Sequence, residues 1–196
     1  MKNMKRVLWI SVGVLILSDV LLVLTIYLIY SQCCTAPAVK NVLSRMVKFK
    51  GGYVTDPMCI YGVDILGTKN VLLNLDNSRA FARIARYKRP PNYVLPSRLT
   101  LETEPETLSY SAKPAKFFEQ NQITIAGRPL YYASYLSENP KPPLGVFLGS
   151  VDNDKSALPS DDEITTIEII VTNEPSQQML CKYYNVLLYQ IEDFPQ

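Results

Sequence analysis

The chain has 196 residues, with 20 Lys or Arg, 18 Asp or Glu and no His. Without histidine, the Ser-His-Asp and Cys-His nucleophile arrangements and His-ligated metal sites are excluded, as is the side chain that most often serves as general base near neutral pH. The near balance of charge selects no class of partner, but its distribution is uneven: residues 31–98 carry 11 basic and 3 acidic side chains, residues 129–196 carry 3 basic and 10 acidic.

Residues 1–6 form a short basic tail with Lys2, Lys5 and Arg6, followed by an unbroken apolar run over 7–30. As a helix this run is about 36 Å long, enough to cross a hydrocarbon core of roughly 30 Å with some tilt. Trp9 near one end and Tyr27 and Tyr30 near the other stand where interfacial aromatics belong. A single transmembrane helix is therefore predicted. A cleaved signal peptide would share the basic start and the small-x-small triplet Ala36-Pro37-Ala38, but its apolar core is usually roughly 7–15 residues, shorter than this run. A lipoprotein signal fails because Gln32, not a small residue, precedes Cys33.

Asp19 falls near the middle of the span, where a charge costs on the order of 3 kcal/mol. Ser11, Ser18 and Thr25 recur every seven residues and make a polar stripe beside it. These four residues are the predicted contact with another membrane helix. The alternative is that the hydroxyls bond back to their own helix and Asp19 is merely tolerated. The positive-inside count is nearly tied, with Lys40, Arg45, Lys48 and Lys50 after the span against three basic residues before it. Because a long C-terminal domain translocates largely regardless of charge, the expected orientation is N-terminus in the cytoplasm and domain outside it. The opposite orientation would make Cys33 and Cys34 candidates for palmitoylation. No Asn-x-Ser/Thr sequon occurs in the domain, which disfavours a eukaryotic secretory lumen.

The juxtamembrane segment 31–52 contains Val39, Val42, Leu43, Met46 and Val47 at the spacing of one helix face. This predicts an amphipathic helix over 38–50, ended by Gly51-Gly52, that either lies in the headgroup layer or packs on its own domain.

Residues 53–196 are expected to form one β-rich interaction domain. Apolar runs at 58–63 and 70–75, separated by a turn at Gly67, read as two strands. A short helix is predicted over 78–88, from Ser78 as N-cap to a stop at Pro90-Pro91. In it Phe81, Ile84 and Ala85 face inward, while Arg79, Arg83 and Arg86 form an outward ridge extended by Lys88 and Arg89. This basic ridge is either a solvated face or a site for an acidic protein or a phosphate. Strands are predicted over 98–104, 122–126, 130–136, 144–150 and 163–172, and the ambiguous segment 179–191 is read as a further strand because Tyr183, Tyr184 and Val186 favour extended backbone. The Pro-rich stretch 139–143 reads as an extended connector. The fold class is mainly β (α+β): one transmembrane helix, then one antiparallel β-rich domain with one or two short helices near the membrane.

Catalytic and metal-binding patterns are weak. Asp152, Asp154, Ser156 and Glu163 match positions 1, 3, 5 and 12 of a calcium loop, but Ala157 replaces the glycine at position 6 and Pro159 interrupts the ligand stretch. Glu102 and Glu104 alternate onto one exposed strand face, as solvated carboxylates do. No phosphate-binding glycine fingerprint occurs. Cys59 and Cys181 are either a long-range disulfide in an oxidising compartment or two buried thiols. No cofactor or metal is expected, and nucleic acid and small-molecule substrates are unlikely partners by composition. The expected function is non-enzymatic: a structural or assembly component that fixes a β-rich interaction domain to a bilayer, in a viral membrane-to-capsid layer or a bacterial envelope machine. The alternative is a cell-surface ligand-binding or receptor module. The split charge also suggests copies arranged head to tail, basic portion against acidic.

Overall fold

The computed structural model describes residues 2–89, 96, 114–137, 141–152 and 163–195, with side chains from Val14 onward and without that of Asp152. The predicted strand at 98–104, the carboxylates Glu102 and Glu104, and Asp154, Ser156, Ala157 and Pro159 of the calcium-like loop lie outside the described residues.

Helix α1 spans Lys2–Cys33. Its stretch Val14–Cys33 is apolar, exposed around its whole circumference and about 30 Å long at 1.5 Å per residue. A helix that exposes large apolar side chains around its circumference is matched to lipid. After a bend at Cys34 and Thr35 the chain enters α2, Ala36–Ser44, with Pro37 in its first turn where no intrahelical donor is needed. This helix is shorter than the predicted 38–50. It ends at Arg45, and the chain turns through Met46 and Val47 into the two-residue strand β1, Lys48–Phe49. The apolar face nevertheless holds as predicted, since Val39, Val42, Leu43, Met46 and Val47 are all buried in the domain core. Packing on its own domain is thus the outcome of the two alternatives.

The domain is built on a seven-stranded antiparallel sheet of order β2-β3-β4-β8-β7-β6-β5. Its strands are β2 Cys59–Ile65, β3 Thr68–Asn74, β4 Ala80–Lys88, β5 Pro114–Ile125, β6 Arg128–Ser137, β7 Gly145–Asp152 and β8 Glu163–Val171. Helix α3, Gln177–Tyr189, follows β8, and β9, Ile191–Asp193, pairs with β1. Alternation along each strand sends Val71, Leu73, Ala82, Ile84, Ile167, Ile169, Phe147, Val151 and Leu130 to one face, where they meet α2 and α3 in the main core. A smaller cluster of Ala133, Tyr135, Val146 and Leu148 sits on the opposite face.

Two elements correct the sequence reading. Residues 80–88 are the strand β4 and not a helix, hydrogen-bonded to β3 on one side and β8 on the other. Buried on both faces, β4 lacks the clean polar alternation that marks a half-exposed strand. Ser78, predicted as an N-cap, instead has a positive φ, as does Asn77, in the turn that reverses the chain between β3 and β4. Residues 179–191 belong largely to α3 and not to a strand. Leu180, Tyr183, Tyr184, Leu187 and Leu188 bury one face at helical spacing, and Ser176 caps the helix by accepting a hydrogen bond from Met179 N at 3.2 Å. The 3.6 period and the cap outweigh the strand propensity of the tyrosines.

Candidate functional site

Three places on the molecule carry groups that local structure alone does not use up: the membrane helix around Asp19, the polar centre of the second sheet face, and the sheet end formed by the β2–β3 hairpin and the α3–β5 groove.

In α1, Ser18 Oγ donates to Leu15 O at 2.7 Å and Thr25 Oγ1 donates to Leu21 O at 2.8 Å. These two hydroxyls are satisfied within their own helix, which is the arrangement considered as the alternative to an interhelical bond. Ser11 lies in α1, but its side chain is outside the described residues. Asp19 is exposed on the span, next to Ser18, and the Leu15 carbonyl one turn back already receives the Ser18 hydroxyl.

The predicted basic ridge does not exist as one surface, and this is a correction that follows from β4 being a strand. Arg79 lies in the turn before β4 and is exposed, while Lys88 and Arg89 are exposed at its far end. Arg83 and Arg86 point to opposite faces. Arg86 is 1% exposed and donates to Thr165 Oγ1 (3.1 Å), Arg45 O (2.9 Å), Pro195 O (2.6 Å) and Met46 O (2.6 Å), with the Glu163 carboxylate at 3.8 Å. It is an internal clamp joining the end of α2, the C-terminal segment and the sheet. Glu163, one arm of the calcium-like pattern, is therefore engaged with Arg86.

On the second face Arg83 Nε donates to Asn70 Oδ1 at 3.2 Å, and its guanidinium lies 3.8 Å from the Glu168 carboxylate. Burial pushes the Glu168 carboxyl up to about 7, against the opposing pull of Arg83. Tyr135 is raised as well, by burial and then by the Glu168 charge. Sequence reasoning missed this pair because both residues sit on strands whose pairing brings them together across β4 and β8 (Arg83 opposite Glu168), a relation no local spacing encodes.

All four cysteines are free thiols, so Cys59 and Cys181 form no disulfide. Cys59 Sγ donates to Thr55 O at 3.5 Å, and Cys181 Sγ lies 3.1 Å from Tyr184 Oη. Tyr184 Oη in turn donates to Glu119 Oε2 at 3.2 Å, and Tyr132 Oη donates to Glu119 Oε1 at 2.7 Å. Glu119 thus accounts for two tyrosine hydroxyls at the edge of the aromatic stack Tyr132, Phe147 and Tyr184. Desolvation, with the carboxylate second, pushes the Tyr132 phenol up to about 12.

At one end of the sheet the β2–β3 hairpin turns on Leu66 and Gly67, with φ of 52° and 78°, the two-residue turn that asks for φ > 0 at both central positions. Leu66 is 100% exposed and Ile65 beside it 59%. On the opposite edge of the same sheet an apolar groove of about 480 Å³ runs between β5 and α3, lined by Ile123, Ile125, Val186, Leu188 and Tyr189. Val186 is 49% and Tyr189 71% exposed.

No protein-family model matches this sequence, and no curated protein is detectably similar to it. The chain is a membrane-anchored protein with a β-rich domain. Among the described residues no three His, Cys, Asp or Glu side chains gather as a metal centre would require. What the arrangement offers chemically is contact: one ionisable group in the span, apolar surface at two places on one sheet end, and polar groups elsewhere that are largely consumed by internal bonds.

Proposed function

We propose that the chain is a non-enzymatic component of a membrane-bound assembly, in which α1 both anchors the β-rich domain and selects a neighbouring membrane helix. The observation that carries this reading is Asp19. It lies 12 residues from either end of the apolar run 7–30 to within one position, about 17 Å from each interface, too deep for its short side chain to reach water. The described hydroxyls of its stripe are turned to their own helix. A partner helix that donates a hydrogen bond or a positive charge to Asp19 removes a cost of on the order of 3 kcal/mol. The domain is read as non-cytoplasmic, in keeping with a translocated C-terminal region, and a viral membrane-to-capsid layer or a bacterial envelope machine is the setting that a small anchored domain without catalytic groups suits.

The test is to purify the full chain and Asp19→Leu in mild detergent and compare what co-purifies and at what size. Wild type is expected to emerge in a larger complex that Asp19→Leu weakens by about 3- to 30-fold, the range of one interhelical hydrogen bond in a bilayer. Unchanged assembly would return α1 to a plain anchor, and a lone monodisperse wild-type monomer would sink the assembly reading.

A further inference from the structure

The run 7–30 contains no Lys or Arg, and apart from its aromatics its polar residues are Ser11, Ser18, Asp19 and Thr25. Whatever answers Asp19 in mid-bilayer must come from a second helix. A further copy of α1 brings to that depth a carboxyl and hydroxyls, and no cation. The question the span poses is whether those groups can satisfy one another.

Leu15, Asp19, Leu22, Ile26 and Ile29 follow one another at alternating steps of four and three residues. This is the heptad spacing, about 3.5 residues on average, that keeps one line of side chains turned to a partner helix. All five are exposed, as are Ser18 and Thr25, which border the line and whose small side chains let a second backbone approach closely. The next step along the seam is Cys33, half-buried where the domain begins, while Gln32 beside it is exposed. The open length of the seam is thus the part that lies within the lipid.

Copies inserted in one membrane by the same segment run parallel and hold each residue at one depth, so the seam meets itself in register. In a parallel left-handed pair, a side chain at the Asp19 position packs against the residue of the same number on the other helix and the one before it, here Asp19 and Ser18. Ser18 Oγ donates to Leu15 O at 2.7 Å and keeps its lone pairs for an incoming donor. A carboxylic acid donates through its O–H and accepts through its carbonyl oxygen. Two Asp19 side chains and two Ser18 hydroxyls therefore form a self-complementary set that needs no cation. We infer that α1 pairs in parallel with α1 of a second copy along Leu15, Asp19, Leu22, Ile26 and Ile29. This rests on the reading of Asp19 as a helix contact and names the partner as another copy of the chain. Because the same patch meets itself, the contact closes at two copies.

The test uses two full-length forms that differ only in an affinity tag, co-expressed in one membrane and extracted in mild detergent. Capture through one tag should recover the other. Asp19→Leu should lower that recovery about 3- to 30-fold, the range of one interhelical hydrogen bond in a bilayer. Asp19→Asn, whose amide both donates and accepts, should keep it. Disulfide scanning in the isolated membranes locates the face, in a chain carrying Cys33→Ser, Cys34→Ser, Cys59→Ser and Cys181→Ser. Leu22→Cys and Ile26→Cys should crosslink to a second copy under copper phenanthroline several-fold faster than Leu24→Cys and Leu28→Cys, which lie off the seam. Equal crosslinking at all four positions would overturn the inference. So would a complex that Asp19→Leu disrupts but that holds a single copy of the chain, which would leave the assembly reading standing with a helix of another protein against Asp19. A wild-type chain recovered only as a monomer would overturn both.

Discussion

Arg86 shows how a charge can be placed inside a domain at little net loss. Its guanidinium meets three backbone carbonyls and a threonine hydroxyl, with Glu163 close by, so the donors of a rigid fork are used where water would otherwise have to follow. Arg86→Leu would bury those carbonyls without partners, and a loss of about 3–5 kcal/mol is expected in chemical denaturation. The signal for this role was in the sequence: read with period two, Ala80, Ala82, Ile84 and Arg86 share one side, which puts the arginine with the core residues. Glu168 has the opposite character, since burial outweighs its partner and holds the carboxyl at about 7 in the folded chain. The unfolded chain gives up that proton near the usual glutamate value of about 4.3. Between those values the native state binds more protons than the unfolded state, so this group's contribution to stability falls as pH rises from about 4.3 to 7 and is level outside that window, by at most about 4 kcal/mol. Denaturation midpoints across this range should show the slope in wild type and not in Glu168→Gln.

Among the elements, those legible in advance were the ones whose pattern is local. The apolar run of α1, the hairpin around Gly67 and the buried face of α2 each declare themselves within a few residues. Strand β4 did not, because a strand covered on both faces carries apolar residues and arginines at spacings that also suit a helix, and only its pairing with β3 and β8 decides. Helix α3 was misread because tyrosine propensity was weighted above a five-residue helical face and a serine cap. Of the surface features, Asp19 was readable from its depth in the apolar run, but the α3–β5 groove was not, since Ile123 and Val186 meet only after the sheet forms. Gly62 ties α2 to β2 at closest approach, where an added Cβ would stand 3.0 Å from the Val39 Cα and 3.3 Å from Val71 Cγ2. The obstacle is helix backbone, which cannot swing aside. Gly62→Val is therefore expected to lose about 1–3 kcal/mol by overpacking, read as a lower denaturation midpoint, and to loosen α2 from the sheet.

For the whole molecule, the main core draws on α2, α3 and the sheet and takes none of the described side chains of α1. Removing residues 2–33 should leave a domain that unfolds cooperatively within a few degrees of the full chain, no longer floats with vesicles in a density gradient and self-associates far less. A truncated chain that fails to fold would show that α1 contributes to the core after all. The two halves of the sequence form two blocks of one sheet, β2-β3-β4 and β8-β7-β6-β5, joined at the β4–β8 pair, where Arg83 meets Glu168, while Lys48 of β1 meets Glu192 of β9. These two pairs use part of the suggested head-to-tail attraction within the chain.

The join between α1 and α2 is a bend of two residues, with Cys34 N donating to Tyr30 O at 2.8 Å on the α1 side, Val39 N donating to Thr35 O at 3.0 Å on the α2 side, and the Thr35 hydroxyl reaching back to Ser31 O at 3.0 Å. Most tethered domains hang from a flexible linker and sweep a hemisphere above the bilayer. Here only two residues separate the helix that enters the lipid from the first helix of the domain, so the domain is held close to the bilayer with little linker to extend. Encounters between copies then take place in two dimensions with a shared direction relative to the bilayer, so a weak lateral contact is populated far more on a crowded membrane than at the same bulk concentration in solution.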